Sequence, residues 1–183
     1  MATDSDNFAS NDIANWTSST AFRMAISGGV FNANASGDPA LERRNTLTPG
    51  GPQFSQCTIK VFDTVADMGI GPAVRITTGA DTCYWFLHNT VNEYRLVRMS
   101  AGSIAASLGS YTAGTPAVND IMLVTANGSS LSCSVNGVER ITASDATLAS
   151  GGVGVRSLIS SVVAAVDDWS GGDLATTIPL WWF

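Results

Sequence analysis

Residues 131–174, LSCSVNGVERITASDATLASGGVGVRSLISSVVAAVDDWSGGDL, decide the fold. Leu131, Cys133 and Val135 alternate with Ser132 and Ser134, Asn136-Gly137 supplies the two positive-φ positions of a tight hairpin turn, and Val138-Glu139-Arg140-Ile141 returns. A glycine-rich corner follows at 148–155 and enters another strand. The run from Val162 to Val166 then leads into Asp167-Asp168-Trp169-Ser170-Gly171-Gly172-Asp173-Leu174, after which the pattern stops.

The rest of the chain keeps the same rhythm. Residues 20–31, 53–65, 72–78, 82–88, 93–99, 103–111 and 120–126 read as strands, with a second Asn-Gly pair at Asn127-Gly128. Between 31 and 53, Asp38-Pro39 and Pro49-Gly50-Gly51-Pro52 mark a polar loop that cannot continue a central ladder. The chain has 183 residues, 45% of them hydrophobic and only 13% charged, with 18 glycines, which fits one sandwich with a sizeable core. No window carries apolar residues at the helical period with charges between them. The expected fold is all-β: an antiparallel β-sandwich over residues 1–174, followed by an aromatic C-terminal tail over 175–183.

The order of short strand, Asn-Gly hairpin, Leu-Ala-Ser-Gly corner, Gly-Val-Gly strand and Val-Asp-Asp-Trp strand resembles the laminin-G-like, concanavalin A-like jelly-roll superfamily, in the small stand-alone form found in bacteriophage virion proteins. Asp6-Asn7-Phe8 and Asn15-Trp16 are similar to the opening of such domains. The resemblance covers roughly residues 6–174. It implies that the first and last strands pair.

Charge and cysteine content narrow the partners. A formal net charge of −6 without a basic cluster argues against a nucleic-acid backbone. Met1 opens a polar segment with no basic region and no apolar core, so neither a secretory signal nor a membrane span is expected, and the chain is expected to be made and folded in the cytoplasm. Cys57, Cys83 and Cys133 are odd in number and widely spaced, which reads as buried free thiols rather than a disulfide framework or a zinc site.

Catalytic signals are poor. The single histidine, His88, has no nucleophile context around it, and no Gly-x-Ser-x-Gly elbow occurs. Glycosidases of the superfamily carry two glutamates on one strand, whereas Glu42, Glu93 and Glu139 are far apart in sequence, and the adjacent Asp167 and Asp168 would face opposite sides of a strand. No catalytic residue, cofactor or resident metal is expected. Asp6 with Asp167 or Asp168 is where calcium would be sought, against the alternative that these aspartates cap turns. A glycan site would draw on Tyr84, Trp85, His88, Asn89, Asn92 and Tyr94, which cluster in one hairpin, although half must face the core.

The tail Pro179, Leu180, Trp181, Trp182 and Phe183 has enough aromatic surface to hide several hundred Å² from water, on the order of 10 kcal/mol gross. It either plugs its own sandwich or binds a partner. The function expected from these features is a non-enzymatic structural virion protein, a phage capsid decoration (cement) protein that is homo-oligomeric and attaches to the major capsid or another virion protein through that tail. The alternative is a carbohydrate-binding, lectin-like adhesion module, or a tail or fibre subunit.

Overall fold

The computed structural model describes residues 1–10, 13–19, 24–33, 40–47, 49–61, 69–89, 93–112, 117–158 and 164–175. Fifteen strands lie among them and no helix: β1 (Thr3–Asp6), β2 (Trp16–Ser18), β3 (Ala25–Ser27), β4 (Val30–Ala33), β5 (Ala40–Arg44), β6 (Gln53–Val61), β7 (Gly69–Ile76), β8 (Cys83–Asn89), β9 (Glu93–Ser100), β10 (Ser103–Thr112), β11 (Ile121–Asn127), β12 (Ser130–Val135), β13 (Val138–Ser144), β14 (Gly152–Leu158) and β15 (Ala164–Asp173). They form two antiparallel sheets. One has the order β13-β12-β11-β6-β15-β4-β3 with β1 added on β15, and the other has the order β10-β9-β8-β7-β14-β5-β2.

The two ends of the chain meet as expected. Strand β15 pairs with β6 along its length, with β4 over Ala164, Ala165 and Val166, and with β1 in the register Asp6↔Trp169 to Thr3↔Gly172. Thus β1 and β4 lie end to end along one edge of β15. The hairpin of β12 and β13 turns at Asn136 (φ 52°) and Gly137 (φ 77°), where the Asn-Gly pair calls for left-handed backbone.

Between the sheets lies a continuous core that includes Phe8, Trp16, Phe31, Phe86, Leu96, Met122, Val124, Val155 and Trp169. The period of two places Tyr84, Phe86 and His88 of β8 on this inner face, and Cys83, Trp85 and Leu87 on the outer face of the same sheet. That outer face is also apolar and buried: Leu41, Ala73, Trp85, Leu87, Val97 and Met99 form a second cluster. Arg156 lies across Trp85, 4.4 Å from its ring centroid, and makes a two-pronged ion pair with Asp81 at 2.7 and 2.8 Å. Cys57, Cys83 and Cys133 are free and buried; burial holds all three thiols protonated, with Cys83 pushed up to about 12.

Two expectations need correction. The stretch 20–31 is not one strand: Gly28 (φ 63°) and Gly29 (φ 75°) turn β3 back into β4. The loop expected between 31 and 53 contains β5, which sits inside the seven-stranded sheet between β14 and β2. Leu41 packs on the outer face while Ala40, Glu42 and Arg44 point inward, so the prolines on either side limit the strand without excluding it. The tail residues 179–183 and Asn92 lie outside the described residues.

Where β14 and β5 pair, backbones approach closely, and a Cβ at Gly154 would fall inside the Glu42 carbonyl oxygen. Gly154→Ala is therefore expected to destabilise the fold by about 2 kcal/mol or more. Gly51→Ala, where a Cβ meets nothing within 4 Å, should stay within about 0.5 kcal/mol of the parent. Urea denaturation of the two variants checks this pair.

Candidate functional site

The site is built where the first and last strands pair. Asp4 and Asp6, two residues apart on β1, present their carboxylates to one side, and both meet the guanidinium of Arg44 from the opposite sheet. Arg44 Nε donates to Asp4 Oδ2 at 2.7 Å and Nη1 donates to Asp6 Oδ2 at 2.7 Å. The guanidinium carbon lies 5.3 Å from the ring centroid of Trp16 and 5.9 Å from that of Trp169. Trp16 Nε1 donates to Asp6 Oδ2 at 3.0 Å, and the Phe8 amide donates to Asp6 Oδ1 at 2.8 Å. Beneath this network Phe8, Trp16, Phe31 and Trp169 pack with centroids 4.9–5.8 Å apart.

Burial pushes the Asp4 carboxyl upward, but the donors from Arg44, Thr46 and Ser5 outweigh it and hold the group below its ordinary value. Trp169 Nε1 donates to Ser55 Oγ at 2.9 Å, and Ser55 Oγ donates to the Gly154 carbonyl at 2.7 Å, which ties the sheets together a second time.

Above the network opens a polar cleft of about 520 Å³. Arg44 and Trp169 form its floor, and Asp6, Asn7, Asn15, Asp168 and Ser170 are among the residues around it. Asn7, Asn15 and Asp168 are exposed. Two residues on or beside its walls hold left-handed backbone that non-glycine side chains rarely adopt: Phe8 (φ 52°) and Asp168 (φ 47°). Phe8 is held there because its ring stacks on Phe31 while its amide is tied to Asp6. Asp168 is the extra residue of a bulge in β15, between Asp167, which faces Thr58, and Ser170, which faces Gln56. Strained backbone of this kind persists where surrounding structure over-determines it, and it clusters at binding sites.

Calcium does not suit the place expected for it. Both Asp6 oxygens accept hydrogen bonds from protein donors, one of them the Arg44 cation, so the guanidinium already occupies the position a metal would take. Asp167 turns instead toward Lys60, 3.7 Å away. Among the described residues no group of three His, Cys, Asp or Glu is placed to hold a metal ion.

The hairpin expected to bind glycan is not available for stacking. Tyr84, Trp85, His88 and Tyr94 are each at most 2% exposed. Tyr84 Oη donates to Asp145, Tyr94 Oη donates to Asp120 Oδ2 at 2.5 Å, and Trp85 is covered by Arg156. Asn89 ends β8 opposite Glu93. Burial lowers the His88 pKa to about 4, against the opposing pull of Asp120, so a neutral imidazole packs edge-on to Tyr94 at 5.5 Å. Of the separated glutamates, Glu42 is buried and accepts from the Met24 amide at 3.1 Å, while Glu139 accepts from Ser132. Arg44 was not singled out in the sequence, and nothing local in it signals a partner some forty residues away.

No protein-family model matches the chain, and no curated protein matches it. Solved structures do. The carbohydrate-binding module CBM66 from Bacillus subtilis aligns with a TM-score of 0.72 at 14% identity, over 87% of this chain and 96% of that one. A prokaryotic β-1,3-1,4-glucanase (lichenase) derived from a mouse hindgut metagenome aligns at 0.68 and 12% identity, over 94% and 99%. A protein of unknown function with a galectin-like fold from Bacillus subtilis aligns at 0.62 and 12% identity, over 92% and 94%. The chain has the jelly-roll sandwich shared by these proteins.

Two outcomes follow from the buried groups. Arg44→Leu leaves two carboxylates facing each other without a cation and is expected to cost about 3 kcal/mol or more. Arg44→Lys should not restore the loss, since one ammonium lacks the fork that serves both Asp4 and Asp6. A urea midpoint for either variant equal to the parent's would contradict this. Because folding lowers the His88 pKa, its contribution to stability is complete above pH 6.5 and is lost as pH falls toward 4, on the order of 3 kcal/mol. His88→Leu should flatten the stability curve across that window.

Proposed function

We propose that the protein is a non-enzymatic carbohydrate-binding module whose ligand lies in the cleft between β1 and the bulge of β15. The observation that carries this reading is the cleft itself: an open polar recess whose walls are held by strained backbone and whose floor is an arginine locked over two indoles. Sugar recognition needs donors and acceptors fixed in advance, because hydroxyls pay for lost hydration only when each finds a placed partner. Asn7 and Asn15, which adjoin β1 and β2, and Asp168 on β15 supply carboxamide and carboxylate groups, and Ser170 of β15 adds a hydroxyl. The fold it shares with CBM66 and with a galectin-like protein supports the same reading, although glucanases share it too.

The carboxylates support binding without turnover. Glycoside hydrolysis uses an acid and a nucleophile or base, so two free carboxyl groups must flank the bond. Asp6 is committed to Arg44, Trp16 and the Phe8 amide, which leaves Asp168 as the free carboxylate of the lining residues. The virion role expected from the tail rests on residues 179–183, outside the described residues, and no neighbour supports it.

Affinity electrophoresis and calorimetry against a panel of soluble plant, fungal and bacterial polysaccharides test the proposal. At least one should bind, with no reducing sugar released. Asn15→Ala and Asp168→Gly, the latter chosen because glycine accepts the left-handed backbone, should each weaken binding about tenfold or more at unchanged melting temperature. Failure of every polysaccharide to bind, or binding indifferent to both substitutions, would overturn it.

A further inference from the structure

We infer that the cleft selects an uncharged sugar ring carrying adjacent hydroxyls, gripped between Arg44 Nη2 and the Asp168 carboxylate, and that it rejects uronates. This rests on the binding role proposed above and adds the chemical class of the ligand.

The argument begins with the valences of Arg44. Nε is spent on Asp4 and Nη1 on Asp6, while Nη2 has no partner among the described residues, and Arg44 lines the cleft. The guanidinium therefore offers the cleft donor hydrogens without offering it free charge, since two carboxylates already balance the cation. Asp168 is exposed at the rim, and no donor among the described residues reaches its carboxylate, so its oxygens are available as acceptors. A hydroxyl both donates and accepts, so two neighbouring hydroxyls on one ring satisfy a donor on one side and an acceptor on the other.

Charge then decides between neutral and acidic sugars. Asp6 and Asp168 line the cleft with Arg44 as its cation, and Asp4 adds a further carboxylate on the same guanidinium. The balance is acidic. Burial of most of Arg44 leaves Asp168 as the charge with the freest field into the cleft, and a uronate carboxylate entering beside it meets repulsion that salt screens.

The test uses length-matched pairs of oligosaccharides, neutral and uronate: galacto- with galacturono-, manno- with mannurono-, and gluco- with glucurono-oligosaccharides, measured by calorimetry on the full chain. In at least one pair the neutral member should bind tenfold or more tightly than its acidic partner. Raising the salt from about 50 to 500 mM should narrow the gap. Asp168→Asn, which tolerates the left-handed backbone and removes the charge, should also narrow it. Periodate, which cleaves the carbon–carbon bond between adjacent hydroxyls, should abolish binding of the neutral probe.

Uronates that bind equally or more tightly, with Asn15→Ala still weakening them, would overturn this inference and leave the binding role standing. A neutral probe that survives complete periodate oxidation would overturn the grip on adjacent hydroxyls. Absence of binding by both members of every pair would remove the binding role and the inference together.

Discussion

The guanidinium of Arg44, clamped by Asp4 and Asp6 and laid against Trp16 and Trp169, is the contact on which the rest depends, because it joins the next-to-edge strand β5 of one sheet to the first strand of the other. A buried ion pair adds little net stability over well-packed apolar groups, since desolvation consumes most of its attraction. Its value lies in specificity. The three charges tie β1, paired with β15, to β5 in the opposite sheet. The hydrogen bonds from Trp16 and the Phe8 amide then saturate Asp6, so the cluster is closed on the protein side and rigid toward solvent.

That rigidity shapes the cleft. Phe8 adopts a left-handed conformation because its ring is held by Phe31 and Trp16 while its amide is held by Asp6, and Asp168 does so because β15 must absorb one residue more than β6 opposite it. Both distortions would relax in an isolated strand. They persist because the aromatic cluster and the ion pairs on either side leave the backbone no alternative. The polar groups of the cleft are consequently held within β15 and on residues adjoining β1 and β2 rather than on long loops, which is the rigidity the proposed sugar site needs.

Much of the fold was legible from residue pattern. Alternation through Leu131, Cys133 and Val135 and the Asn136-Gly137 turn gave the hairpin correctly, whereas the pairing of β1 and β15 was implied by the resemblance to concanavalin A-like domains and not by pattern. Strand β5 was hidden because prolines flank it and because Glu42 and Arg44, which read as loop residues, point inward. Alternation also misleads on β8: a period of two assigns Trp85 to the face away from the core, but that face is itself buried and Arg156 lies over the indole. The candidate site was half visible. Asp6 and Asp168 stood out as the place to seek calcium, yet the cation between the sheets is Arg44, and a pairing across forty residues leaves no local trace in sequence.

The most direct measurement is a two-dimensional nitrogen–proton NMR titration of the protein with a neutral oligosaccharide that it binds. The account predicts that shifts concentrate on the amides of Asn7, Asn15, Asp168 and Ser170 and on the side-chain Nε of Arg44, while Trp85, Val97 and Met99 on the outer face of the seven-stranded sheet stay still. Perturbations gathered on β8 and β9, with the seam between β1 and β15 unmoved, would contradict it.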